Sequence, residues 1–183
     1  REALLTWKVV FFRDQALDHA GHVRFARRFG QPTPAHIVFG TTESHPDVYS
    51  VAKHRTANNA RTAAERCWSG WHTDITAAVN PPWASILRGV TVPPFGGDTQ
   101  WTNLAVAYER LSPSLQRFVA GLRAVHRFNP PNPGAETDYA RRVADKELVA
   151  EHPLVTVHPE SGERVLMVSP GFLDSIVGLA PRE

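Results

Sequence analysis

Cysteine, lysine and methionine are almost missing from this 183-residue chain, which has one Cys (Cys67), three Lys and one Met. A single Cys excludes an intramolecular disulfide and a Cys-based zinc site, and it fits a reducing, cytoplasmic setting. Long apolar runs are lacking as well. The longest, such as Val9 to Phe12, hold a few residues, against the ~20 that a membrane-spanning helix needs, so no membrane partner is expected. Nor is one sign of charge concentrated: seventeen Arg and three Lys meet eighteen Asp and Glu, for a net charge of +2 at pH 7. Arg24, Arg27 and Arg28 recur at helical spacing and read as a solvated face rather than a stripe tracking phosphates, so no nucleic-acid partner is expected. The chain opens at Arg1 with neither Met nor a charged-then-apolar leader, and the expectation is that it starts inside a domain.

What is present reads as globular. Apolar residues make up 42% and charged residues 21%, with nine Phe, five Trp and three Tyr, enough for a packed core and unlike a disordered tail. One domain over 1–183 is expected. Residues 5–13 (LTWKVVFFR) are β-branched and aromatic and predict a central strand. The run DHAGHVRFARRFG from Asp18 predicts an amphipathic helix closed by Gly30. Residues 31–46 predict a long loop with a short strand at 37–39, followed by a strand at 48–52 and a mobile stretch at 53–66.

Further along, a strand is predicted at 84–92, then a turn demanded by the Pro and Gly of PPFGGDTQWTN before another strand. Asn103 predicts the cap of a helix through Arg110, and Ser112-Pro113 the start of another through Leu122. Residues 125–128 read as extended, and NPPNPGAET at 129–137 as a long loop with the character of a lid. HPLVTVHPESGERVLMV gives two β-type runs joined by Pro-Glu-Ser-Gly, a hairpin. Strands outnumber helices, and the helices are inserted rather than alternating, which disfavours a doubly wound sheet. The expected fold is mainly β with inserted helices, a double-sheet jelly roll.

His72-Thr73-Asp74 is the sharpest chemical feature. On an extended backbone residues i and i+2 project to one face, so an imidazole and a carboxylate converge. That supplies two donors of a two-His-one-carboxylate triad, whose remaining positions on Fe(II) stay open for a co-substrate and O₂. By itself the pair also reads as a surface His–Asp hydrogen bond, or as part of a hydrolytic zinc site. Thr99 lies twenty-seven residues past His72, within GGDTQW. Trp68, His36, Thr99 and Phe172 admit both a binding role and ordinary packing or capping; Cys67 reads as inert.

The block WHTDITAAVNPPWASILRGVTVPPFGGDTQWTNLAVAYERLS resembles the iron- and 2-oxoglutarate-dependent taurine dioxygenase (TauD/TfdA) family. KVVFFRDQ with the helix ending RFG, and HPLVTVHPESGERVLMVSPGF, extend the resemblance over nearly the whole chain. It implies a double-stranded β-helix core that is incomplete at both ends, lacking a first strand and the C-terminal segment that carries the second iron-binding His and the Arg for 2-oxoglutarate. It also implies His72 and Asp74 as iron ligands, Thr99 on the distal carboxylate of 2-oxoglutarate, His36 on the anionic group of a substrate, and Phe172 in the substrate pocket. His126, His152 and His158 fall at structural positions of the family pattern.

The implied reaction needs Fe(II), 2-oxoglutarate and O₂. It hydroxylates a small anionic molecule next to its heteroatom, forming succinate and CO₂; the product falls apart to sulfite from a sulfonate or sulfate from an alkyl sulfate ester. Where taurine-specific members carry an Asn near the sulfonate, this chain has Trp68, which points to a larger or more apolar substrate. An aryloxyalkanoate or amino-acid-type substrate, and a non-catalytic relative without the metal site, are the other readings. Family members associate, so a homo-oligomer, dimer or tetramer, is implied.

Overall fold

The computed structural model describes residues 1–34, 44–49, 71–96, 98–128 and 148–180. Their contacts fall into two compact units. One comprises Arg1–Gln15, Thr73–Phe128 and Leu148–Glu183; the other comprises Ala16–His72 and Asn129–Glu147. Among the described residues there are four helices, α1 (Glu2–Trp7), α2 (His19–Ala26), α3 (Leu104–Glu109) and α4 (Pro113–Val119). There are five strands, β1 (Arg123–Arg127), β2 (Val149–Pro153), β3 (Val155–Val157), β4 (Arg164–Leu166) and β5 (Leu173–Ile176). No helix among them is long and apolar enough to cross a membrane.

The first unit is built around β1. It is the centre of an antiparallel sheet in the order β2-β1-β5, and its side chains alternate so that Ala124 and His126 turn inward, as the two-residue period of a strand requires. The register with β5 shifts between Val125 and His126. A separate hairpin pairs β3 with β4 through Val155↔Leu166, Thr156↔Val165 and Val157↔Arg164. Leu154, buried between β2 and β3, ties the two sheets: its N–H donates to the Leu122 carbonyl at 2.9 Å and its carbonyl accepts from Met167 N–H at 2.8 Å.

The two predicted helices after residue 102 form where their caps place them, although the second ends at Val119 rather than Leu122. Asn103 caps α3, its side-chain oxygen accepting from the N–H groups of Ala105 and Val106, and the helix buries Ala105 and Tyr108, three positions apart on one face, beside β4. Ser112 caps α4, and Pro113 occupies its first turn, where the missing N–H costs nothing. Gln116 of α4 donates from Nε2 to the carbonyls of Tyr108 and Glu109, joining the Leu111 N–H that already donates to Tyr108 O at the end of α3. The hairpin, too, falls where its sequence places it. Its turn has Gly162 at φ 72°, a left-handed conformation that costs a side chain energy and glycine little, and His158 Nδ1 accepts from the N–H groups of Glu160 and Ser161.

Other expectations are corrected. Residues 5–7, predicted within a strand, lie in α1, which satisfies its own backbone with Leu5 N–H on Arg1 O and Lys8 N–H on Leu4 O. Arg1 pairs with Glu160 and Lys8 with Glu163, both acids belonging to the β3–β4 turn. Residues 8–13 enter no described strand. Residues 84–92 are likewise without strand pairing, and among the described residues no strand follows the PPFGGDTQWTN turn before α3. A strand exists only where a neighbour completes its hydrogen bonds, and among the described residues none runs alongside, so Leu87, Val90 and Val92 remain exposed.

In the second unit, α2 starts where Asp18 accepts from Gly21 N–H at 2.6 Å. It ends at Ala26 in a tightened turn, Arg28 N–H on Phe25 O and Phe29 N–H on Ala26 O, before reaching Gly30, which is not among the positive-φ glycines. Of the strand expected at 48–52, residues 48–49 carry no strand. Residues 50–52 and the expectations for 37–39, 53–66 and 129–137 lie outside the described residues.

Removing the α3 cap by Asn103→Ala leaves two helix N–H groups without their acceptor and lowers stability by about 1 kcal/mol. The expected result in urea unfolding of the whole protein is a lower midpoint at unchanged slope; an unchanged midpoint would show that water replaces the cap without loss.

Candidate functional site

Among the described residues three polar side chains are fully buried, Thr76, His126 and Ser169, each 0% exposed, and all three act on the segment that follows His72. Ser169 Oγ accepts from Thr73 N–H at 3.0 Å and reaches the Thr73 carbonyl at 3.3 Å, so one hydroxyl brackets the residue between His72 and Asp74. Asp74 opens a turn through Ala77. Ile75 has φ 53°, an unfavourable region for a β-branched residue, and the turn is closed by Ala78 N–H on Ile75 O at 3.0 Å. The extended geometry expected through the motif therefore gives way: residues 71–73 carry no strand, and the chain turns at Asp74.

The turn is held from the sheet. Ala124 pairs with His152 and His126 with Ala150 across β1 and β2, so the two histidines are diagonal neighbours on one face, and their rings meet edge to face at 5.5 Å. His126 Nδ1 lies 2.8 Å from Thr76 Oγ1. His152 Nε2 lies 2.8 Å from the Thr76 carbonyl and 3.1 Å from that of Ala78; carbonyls only accept, which fixes the proton of His152 on Nε2. Both histidines thus hold backbone or hydroxyl groups, the structural role expected of them. Burial first, then the neighbouring His152, keeps the His126 imidazole below its ordinary pKa, partly opposed by the Met167 backbone.

The predicted site residues fall as follows. His72 and Asp74 are both exposed; His72 closes one compact unit's segment and Asp74 belongs to the other. Asp74 Oδ2 accepts from Ser85 Oγ at 2.5 Å. Thr99 is exposed in an irregular stretch three residues past Gly96, whose φ is 77°. Phe172 is half-buried and stacks on Phe128 at 5.6 Å. Its N–H donates to Ser169 O and its carbonyl accepts from Arg127 N–H, so Phe172 and Ser169 share one turn beyond β4. His36 and Trp68 lie outside the described residues. Ser85, Ser169 and Thr76 carried no signal as supports: a serine or threonine declares its partner only when the chain folds.

Comparison with known proteins assigns the family. The model of the taurine catabolism dioxygenase TauD, TfdA family matches residues 1–183, and the chain belongs to that family. It is 33% identical over 190 residues to an alkylsulfatase of Acinetobacter baylyi, covering 98% of this chain and 56% of that protein. It is 37% identical over 175 residues to an alpha-ketoglutarate-dependent sulfate ester dioxygenase of Pseudomonas putida, covering 91% and 55%. The chain thus spans about half the length of these curated relatives. A crystal structure of a taurine dioxygenase from Burkholderia xenovorans superposes with a TM-score of 0.78 at 59% identity, covering 99% of this chain and 56% of that one.

The family implies iron, and the donor chemistry of His72 and Asp74 fits it: a neutral imidazole and a carboxylate suit Fe(II), and the carboxylate already has the kind of outer hydrogen bond that orients metal ligands. Among the described residues no group of three or more His, Cys, Asp or Glu is placed to hold a metal ion.

His126→Phe strands the buried Thr76 hydroxyl and costs about 1–3 kcal/mol. With the folded pKa of His126 depressed, the unfolded chain binds more protons just below pH about 6.5, so stability is full above that value and falls as the pH drops through it. Urea midpoints of the whole protein between pH 5 and 8 should show this acid-side fall, and His126→Phe should flatten it; an identical slope in the variant would place the sensitivity elsewhere.

Proposed function

We propose that the protein to which this chain belongs is an Fe(II)- and 2-oxoglutarate-dependent dioxygenase that hydroxylates a small anionic organic substrate. The substrate class is an alkyl sulfate ester or sulfonate, with release of sulfate or sulfite, succinate and CO₂. The reading rests on His72-Thr73-Asp74 leading into a turn anchored at Thr73 and Thr76, within a family match along residues 1–183. The sulfate ester and alkylsulfatase relatives support the substrate class.

His72 and Asp74 hold the metal. When bound, iron with 2-oxoglutarate and O₂ supplies C–H hydroxylation coupled to decarboxylation of the co-substrate. The protein's own work is placement. Ser169 and the Thr76–His126–His152 contacts keep the ligand-bearing backbone from shifting. Thr99 holds the distal carboxylate of 2-oxoglutarate through its hydroxyl. His36, as a cation, takes the anionic head group by a charge-assisted hydrogen bond. Trp68 and Phe172 line the apolar part of the substrate site and favour an alkyl chain over the short taurine skeleton. The sheets described above belong, in this reading, to a jelly-roll core within a single domain, and the protein works as a homo-oligomer in a reducing, cytoplasmic setting.

In the whole protein, His72→Ala or Asp74→Ala should abolish succinate formation that depends on Fe(II) and 2-oxoglutarate while leaving the circular dichroism spectrum unchanged. Turnover retained by either variant would refute the ligand assignment. Trp68→Asn should move preference toward smaller sulfonates in a substrate panel; an unaltered profile would remove Trp68 from the substrate site.

A further inference from the structure

We propose that the cleft between α3, α4 and β4 is a binding site for a small tetrahedral oxyanion, sulfate or phosphate. None of its residues takes part in the metal, co-substrate or substrate reading above, so the inference stands apart from that reading.

The cleft has a volume of about 210 Å³ and is lined by Tyr108, Pro113, Gln116, Arg117, Ala120 and Arg164, all within one compact unit. Pro113, Gln116, Arg117 and Ala120 recur at i, i+3, i+4 and i+7 along α4 and its C-cap, the spacing that puts side chains on one helix face. That face meets Tyr108 of α3 and Arg164, the first residue of β4. Gln116 ties α4 to the end of α3, its Nε2 lying 3.1 Å from the Tyr108 carbonyl and 3.2 Å from that of Glu109.

Charge and hydrogen-bonding capacity in the cleft are one-sided. Arg1, Lys8, Arg123 and Arg127 of this unit each meet a carboxylate; among the described residues Arg117 and Arg164 do not, and no carboxylate lines the cleft. Arg117 Nη2 donates to Ser114 Oγ at 3.4 Å, and Arg164 Nη1 to the Tyr108 hydroxyl at 3.5 Å. A guanidinium carries five N–H donors, so most of the capacity of both is unused. Tyr108 is 6% exposed. Because a guanidinium only donates, the phenol oxygen is the acceptor toward Arg164, and the phenol's own proton has no acceptor among the described residues.

Two cations lining one cleft repel until a counter-charge enters it, and an anion there gains charge-assisted hydrogen bonds from both. The donors arrive from α3, α4 and β4 rather than from a single guanidinium fork. They therefore suit acceptor oxygens that point in several directions, which a tetrahedral oxyanion presents and a planar carboxylate does not.

The test is isothermal titration calorimetry of the whole protein with sodium sulfate, sodium phosphate and sodium acetate at one ionic strength. The proteins compared are the parent, Arg117→Gln, Arg164→Gln and His36→Ala, with melting temperatures measured in chloride alone. The expected result is saturable binding of sulfate, phosphate or both to the parent, with acetate weaker. Each arginine variant should lose about tenfold in affinity, the size of one charge-assisted hydrogen bond, at an unchanged melting temperature, while His36→Ala binds as the parent does. Absence of saturable binding to the parent, or parent-like affinity in both arginine variants, would overturn the site. Binding lost in His36→Ala but kept in the arginine variants would move the ion to the substrate site and overturn it as well. Acetate binding as tightly as sulfate and phosphate would overturn the ligand class, and an affinity loss accompanied by a lowered melting temperature would make the arginines structural and overturn their role as ligands.

Discussion

The hydrogen bond between Thr76 and His126, both fully removed from water, is the constraint on which the site depends. A buried hydroxyl or imidazole without a partner costs about 1–3 kcal/mol, so the two must meet. Their meeting fixes the turn two residues after Asp74 against the inward face of β1. His152 adds the same requirement for backbone carbonyls, and Ser169 for the peptide at Thr73. The core elsewhere in this unit is made largely of small or singly placed apolar side chains, Ala77, Ala105, Ala124, Ala150, Leu154 and Tyr108. Polar satisfaction rather than bulk therefore specifies how the motif segment sits.

This divides labour between buried and exposed residues. His72, Asp74, Ser85 and Thr99 are exposed. The groups that hold the backbone at Thr73 and Thr76, Ser169 and His126, are fully buried, where low dielectric strengthens their hydrogen bonds. A segment that turns at Asp74 rather than running in a ladder needs such anchoring, because no strand neighbour resists its displacement. The positive φ of Ile75 belongs to the same design: a strained backbone angle persists when surrounding contacts over-determine it.

Much of the local structure was legible from residue type. Asn103 and Ser112-Pro113 start helices because their side chains or missing N–H complete a helix end within three residues. The Pro-Glu-Ser-Gly turn forms a hairpin because Gly162 accepts a left-handed angle between two β-type runs. The motif block around His72 carried the family, which the match along residues 1–183 bears out. Residues 5–13 and 84–92 were misread for one reason. Their β-branched and aromatic content states a preference for extended packing, whereas a strand also requires a partner, and that requirement is non-local. Residues 5–7 instead enter a helix that closes its own hydrogen bonds.

Sequence alone determined which chemical groups the chain brings, an imidazole and a carboxylate two residues apart, and the local caps and turns whose partners lie within a few positions. Tertiary structure alone decided that Thr76 would face His126 from fifty residues away, that Ser169 would bracket Thr73 from ninety-six away, and that Ser85 would hold one oxygen of Asp74. The division follows from range. Capping and turn chemistry are settled by bonds the backbone makes with itself, but a buried polar side chain can be satisfied only by whichever group the sheet register and the packed turn carry to it.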